Sequence, residues 1–60
     1  MEQIKIVLVE DHPLMREGTR RILEEHTDLN VIGEAQDGAQ AVEVIKHLQP
    51  DVAIIDIRMP

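Results

Sequence analysis

Sixty residues with twelve acids against six bases carry a formal charge of −6, and a chain this short takes only about 60% of its unfolded surface out of water, so marginal stability is expected. No cysteine is present for a disulfide or a thiolate zinc site, and no aromatic residue for stacking on single strands. The acidic balance disfavours a nucleic-acid backbone. The apolar stretches are strand-length, far below the roughly 20 residues of a membrane span, and the start "MEQIKIVLVED" has acids where a secretory leader is basic. A soluble, unprocessed, cytoplasmic chain without membrane contact is therefore expected.

Ile4 to Val9 is apolar and β-branched almost throughout, the pattern of a strand buried on both faces of a parallel sheet. The period then changes. Leu14, Met15, Thr19, Ile22 and Leu23 share one helical stripe and Pro13 suits a first helical position, which predicts a helix from about Pro13 to about Glu25 with Met15 as core filler. Gly18 within it costs about 1 kcal/mol relative to Ala, marking either close packing or tolerance. Arg16, Arg20 and Arg21 interleave with Glu17, Glu24 and Glu25, a solvated face laced with i,i+4 pairs. "LNVIGEA" reads as a second strand. "DGAQAVEVIKHL" reads as a second helix, with Asp37 and Gln40 at capping-box spacing and Ala41, Val42, Ile45 and Leu48 on its apolar side. Pro50 stops that helix, and "DVAII" is a third apolar strand.

The order β-α-β-α-β with short connections implies parallel strands joined by right-handed crossovers. Strand one, the most apolar, is expected between the others, in spatial order 2-1-3. Such a sheet opens a crevice at the carboxyl ends of its strands where the connections diverge. Glu10, Asp11 and Asp56 fall at those ends. Like-charged pairs about 4 Å apart repel by about 4 kcal/mol at an effective dielectric near 20, so three converging carboxylates should either raise a pKa or hold a cation, and a divalent cation is the economical answer. Carboxylate, carbonyl and water ligands suit Mg²⁺, and a carboxylate beside that ion can accept a phosphoryl group as an acyl phosphate. A plainer reading makes each acid a loop residue, or makes Asp11 the N-cap of the first helix.

"VLVEDHPLMREG", "VIGEAQDGAQAVE" and "PDVAIIDIRMP" together resemble the first half of a bacterial response-regulator receiver domain. The "EDHPLMREG" wording is most similar to the subgroup whose receiver precedes a helix-turn-helix DNA-binding domain. The resemblance implies an α/β fold, the β-α-β-α-β half of a doubly wound, flavodoxin-like parallel sheet, with residues 1–60 a partial receiver and strands 4 and 5 outside it. It implies that Asp56 is the phosphoacceptor, that Glu10 and Asp11 are the acid pair, and that the Arg58 main-chain carbonyl joins them and Asp56 as ligands of Mg²⁺. A sensor histidine kinase is the implied phosphoryl donor and a transcriptional output the implied consequence, with DNA contacted only through an output domain absent from this chain. The family's switch hydroxyl and its lysine follow strands four and five, so this stretch alone is expected to be incompetent in switching. Lys5 and Lys46 do not match that lysine by motif.

Other signals carry less. "GEAQDGAQ" has the glycine spacing of a phosphate loop but lacks its Lys and Ser/Thr, and it reads as a turn and helix cap. His12, His26 and His47 have no i,i+4 partner, which disfavours zinc, and His26 and His47 suit helix C-termini. Met59 is expected in loop packing. Hydrolases with an aspartyl nucleophile on a similar sheet need a second acid two residues later; Arg58 stands there, so no turnover of an external substrate is expected. A structural or interaction module, associating through the apolar edge of strand three, is the alternative from another class. An independent dinucleotide-binding half-fold is a third.

Overall fold

Strand β1 (Ile4–Glu10) is central, paired in parallel with β2 (Leu29–Ala35) on one side and β3 (Val52–Asp56) on the other, in the expected order β2-β1-β3. Helix α1 (Pro13–Glu24) connects β1 to β2, and α2 (Gly38–Leu48) connects β2 to β3. The computed structural model describes residues 2–56. Ile6, Val7, Leu8 and Val9 are buried, because a middle strand covered on both faces has no solvent side on which a polar residue could sit.

The register between β1 and β3 is pinned at the amino end of the sheet. Asp51 accepts the Lys5 amide through Oδ2 at 2.8 Å and donates its own amide to the Lys5 carbonyl at 2.9 Å. From there the pairing runs without slip from Ile6 opposite Val52 to Glu10 opposite Asp56. Between β1 and β2 the register shifts: Ile6 faces Val31 and Val7 faces Gly33, leaving Ile32 as an extra residue. That irregularity re-phases β2, so that Glu34 stands opposite Leu8 and Ala35 opposite Val9.

The two helices cover opposite faces. Val7, Val9 and Ala35 pack with Ala41 of α2, joined by Ile32, Val44 and Ile45, whereas Glu34, the neighbour of Ala35 and therefore on the other face, meets α1 through Arg16 and Arg20. Gly33 lies under α2 at close approach. A Cβ there would stand 2.6 Å from Leu48 Cδ1 and 3.0 Å from Val44 Cγ1. Asp37 caps α2, its Oδ1 accepting the Gln40 amide at 2.8 Å; the return bond from Gln40 Oε1 goes to the Gln36 amide at 3.1 Å, one residue before the expected partner. Gln49 ends the helix in the left-handed region at φ 48°, ahead of Pro50.

Two expectations about packing are corrected. The apolar stripe of α1 is not a core face: no residue of that helix is buried, Leu14 is 78% and Ile22 61% exposed, and Met15 is half-exposed and not core filler. Thr19 and Leu23 are half-buried on the helix that covers the Ile6 and Leu8 face of the sheet, and Arg16 and Arg20 add ion pairs to Glu34. In α2, Val42 is exposed and Val44 packs in its stead, because the helix presents the Ala41, Val44, Ile45 and Leu48 side to Gly33. Met59 lies outside the described residues.

The glycines give opposite expectations. Nothing lies within 4 Å of a Cβ at Gly18, so Gly18→Ala is expected to stabilise by about 1 kcal/mol through helix propensity. Gly33→Ala must displace Leu48 and crowd the stiff Val44, and a loss of about 1 kcal/mol is expected. Thermal melts of the two variants should move in opposite directions from wild type.

Candidate functional site

The carboxyl edge of the sheet collects the acids singled out in the sequence. Glu10 ends β1 and Asp56 ends β3, and they are register partners, so both side chains leave the sheet on one face from strands on the order of 5 Å apart. Asp11 follows directly and is exposed, as is Asp56. Arg58 lies outside the described residues.

Glu10 differs sharply from its two companions. It is 1% exposed, the one buried charged residue among those described. Its Oε2 accepts the His12 amide at 3.0 Å, which turns the carboxylate back over its own loop. Its Oε1 is buried and has no hydrogen-bond partner among the described residues. A buried carboxylate oxygen without a partner is costly, on the order of 1–3 kcal/mol or more for a charged group, and is the kind of defect that a bound cation relieves.

Local sequence explains how the loop reaches this shape. His12, not Asp11, is the N-cap of α1: its backbone is extended, its Nδ1 faces the Met15 amide at 3.5 Å, and Pro13 follows at the start of the helix. Asp11 is thereby released from the capping role that the plainer reading gave it, and His12 acquires a structural task the sequence did not disclose. The Arg16 amide donates to the His12 carbonyl at 2.9 Å, and Arg16 Nη1 donates to the Glu10 carbonyl at 2.9 Å. Arg16 Nε also faces Glu34 Oε1 of β2 at 3.5 Å.

Beside this lies the charged seam between α1 and β2. Arg20 pairs with Glu17 at 2.7 Å, with Glu24 at 3.2 Å and with Glu34 at 3.7 Å, while Arg21 reaches Glu17 at 3.1 Å. The pairs within α1 follow the spacing visible in the sequence. Glu34 was not legible as a partner, since its meeting with Arg16 and Arg20 depends on the shifted β2 register. Hydrogen bonds from Arg20 and then Arg21 hold the Glu17 carboxyl below its usual range, and the same bond to Glu17 raises the Arg20 guanidinium.

As a metal site the cluster is spare. Among the described residues no group of three or more His, Cys, Asp or Glu side chains is assembled that could hold a metal ion. The donor set nonetheless fits Mg²⁺, which takes one or two carboxylates and keeps much of its water: two hard-oxygen residues in register, a third beside them, and one oxygen buried without a partner. His26 and His47 lie far along the chain from this edge, and His47 Nδ1 stands 2.9 Å from the Glu43 carbonyl within its own helix. No helix is long and apolar enough to cross a membrane among the described residues.

Comparison with known proteins bears on the same edge. Residues 6–60 match the response regulator receiver domain family. The chain is 52% identical over 59 residues to the transcriptional regulatory protein NarL of Mycobacterium tuberculosis, covering 98% of this chain and 27% of that one. It is 43% identical over 58 residues to the transcriptional regulatory protein DegU of Brevibacillus brevis, covering 97% and 25%. The signal receiver domain of the Mycobacterium tuberculosis NarL superposes with a TM-score of 0.91 at 52% identity, covering all of this chain and 48% of that structure. The chain thus spans about a quarter of the length of these curated relatives.

The Glu17 pairing sets an acid limb. Because its carboxyl is held below the ordinary glutamate value by Arg20 and Arg21, its stabilising contribution is complete above that ordinary value and is lost as pH falls through the lower, folded-state value. Glu17→Gln should flatten the low-pH end of a stability-versus-pH curve while leaving the neutral region parallel to wild type, as urea titrations across the acid range would report.

Proposed function

Since this chain belongs to the response regulator receiver domain family, we propose that it accepts a phosphoryl group on Asp56 within a two-component signalling system. The observation that carries the reading is the register pair of Glu10 and Asp56, with one buried Glu10 oxygen left without a partner. Glu10, Asp11, Asp56 and the main-chain carbonyl of Arg58 would hold Mg²⁺. That ion, when bound, places positive charge against the oxygens of the incoming phosphoryl group.

The protein's own part is positional. Asp56 is exposed at the strand end, open to a donor. A carboxylate oxygen of Asp56 attacks phosphorus, the bond from phosphorus to the nitrogen of a kinase phosphohistidine breaks, and its electron pair returns to the imidazole, leaving an acyl phosphate. Glu10, by contrast, is buried and its Oε2 already accepts the His12 amide. Nothing in this scheme turns over an external substrate. The chain acts in the cytoplasm as an acceptor whose partner is a sensor histidine kinase.

A transcriptional output through a DNA-binding domain beyond these residues is supported by the Mycobacterium tuberculosis and Brevibacillus brevis relatives, which are named as transcriptional regulatory proteins. Incubation with acetyl phosphate or a cognate kinase in Mg²⁺ should label wild type and leave Asp56→Asn unlabelled, with Glu10→Gln labelled more slowly. Equal labelling of wild type and Asp56→Asn sinks the assignment.

A second reading, a structural or interaction module, is favoured by the exposed apolar surface. β3 pairs on one side only among the described residues, Ile55 is 61% and Val52 45% exposed, and Leu14 and Ile22 lie open on α1. An apolar edge strand of this kind invites pairing with another copy. Sedimentation of the sixty-residue chain should then show concentration-dependent association; a monomer with a single cooperative melt contradicts it.

A further inference from the structure

We propose that Arg16 is a positioning residue for the acid site: it fixes the peptide that carries Glu10 and so aims the unpartnered Glu10 oxygen at a bound Mg²⁺. The inference rests on the reading of Glu10 and Asp56 as Mg²⁺ ligands. The short turn from Glu10 to Pro13 is fastened at both ends. The His12 amide holds Glu10 Oε2 at 3.0 Å, and Arg16 Nη1 holds the Glu10 carbonyl at 2.9 Å.

Arg16 is itself anchored. Its amide bonds the His12 carbonyl at 2.9 Å, its Nε faces Glu34 Oε1 at 3.5 Å, and its side chain is 22% exposed. One guanidinium, carried on the first turn of α1, therefore ties the end of β1 to β2, using donors on two sides of a rigid fork. A lysine ammonium is a point charge on a flexible stem and does not reproduce that geometry. Groups that orient metal ligands through hydrogen bonds commonly change affinity by about 10- to 100-fold when removed.

The sign of the effect separates this role from its rivals. Arg16 carries a positive charge beside the carboxylates, so on charge alone its removal strengthens cation binding. Positioning predicts the opposite. A role confined to stability lowers the melting temperature and leaves the affinity of the folded protein unchanged.

The test titrates MgCl₂ into the full chain by calorimetry at fixed ionic strength, and follows the Glu10 and Asp56 amide shifts by NMR below the melting temperature of each variant. Arg16→Met is expected to weaken Mg²⁺ binding about tenfold, with Arg16→Lys between it and wild type and the Glu10 amide shift reduced in both. Unchanged or tighter binding by Arg16→Met overturns the proposal. Should that variant not fold, wild-type affinity in Arg16→Lys overturns it instead. Glu10→Gln and Asp56→Asn serve as controls: if neither alters Mg²⁺ affinity while wild type binds, the ligand reading fails and the role of Arg16 falls with it, a result distinct from failure of Arg16 alone.

Discussion

The placement of the whole site depends on the parallel register between β1 and β3. Side chains in a strand alternate with a period of two, so a slip of one residue would send Asp56 to the face opposite Glu10. Asp51 prevents that slip by closing two hydrogen bonds onto the backbone of Lys5 at the far end of the sheet. The acids at the carboxyl edge are thus aligned by an acid at the amino edge. β1 between them is buried from Ile6 to Glu10.

This alignment has an energetic cost at its functional end. Glu10 is removed from water, given one amide for Oε2, and left with nothing for Oε1, while a second carboxylate stands opposite on the next strand. Sixty residues yield few compensating contacts, and a sequence selected for stability alone would place an apolar residue at Glu10. The proposed role of Glu10 as a cation ligand would account for an acid there. The surrounding loop reinforces it: His12 caps the helix and lends its amide to Glu10, and Arg16 reaches back from the first turn.

How much of this was legible in the sequence follows from the range of the interactions involved. Strand order, the five elements and their limits to within about a residue were readable, because hydrophobic period, Pro13 and Pro50 act locally. The acids at the strand ends were readable for the same reason, and their register pairing followed from topology. The His12 cap was not, since His is an uncommon N-cap and Asp11 stood beside it as the better candidate. Val42 and Val44 are both apolar and two residues apart, so periodicity alone could not say which faces Gly33. The bond from Arg16 to the Glu10 carbonyl had no sequence signature, because any arginine one turn into a helix looks like a surface charge.

The least legible feature decides which residue of β2 meets α1. Without the extra residue at Ile32, β2 would present Glu34 to α2 and Ala35 to α1. The shift exchanges them, giving α2 the small apolar residue it packs on and α1 the carboxylate that Arg16 and Arg20 grip. One helix is therefore held by burial, and the other by burial over Ile6 and Leu8 with ion pairs added. Surface ion pairs contribute little singly and are weakened by salt, whereas apolar burial is not. The ion pairs that join α1 to β2 are consequently the contacts of the fold that ionic strength weakens, and Arg16, which also holds the Glu10 carbonyl, is a member of one of them.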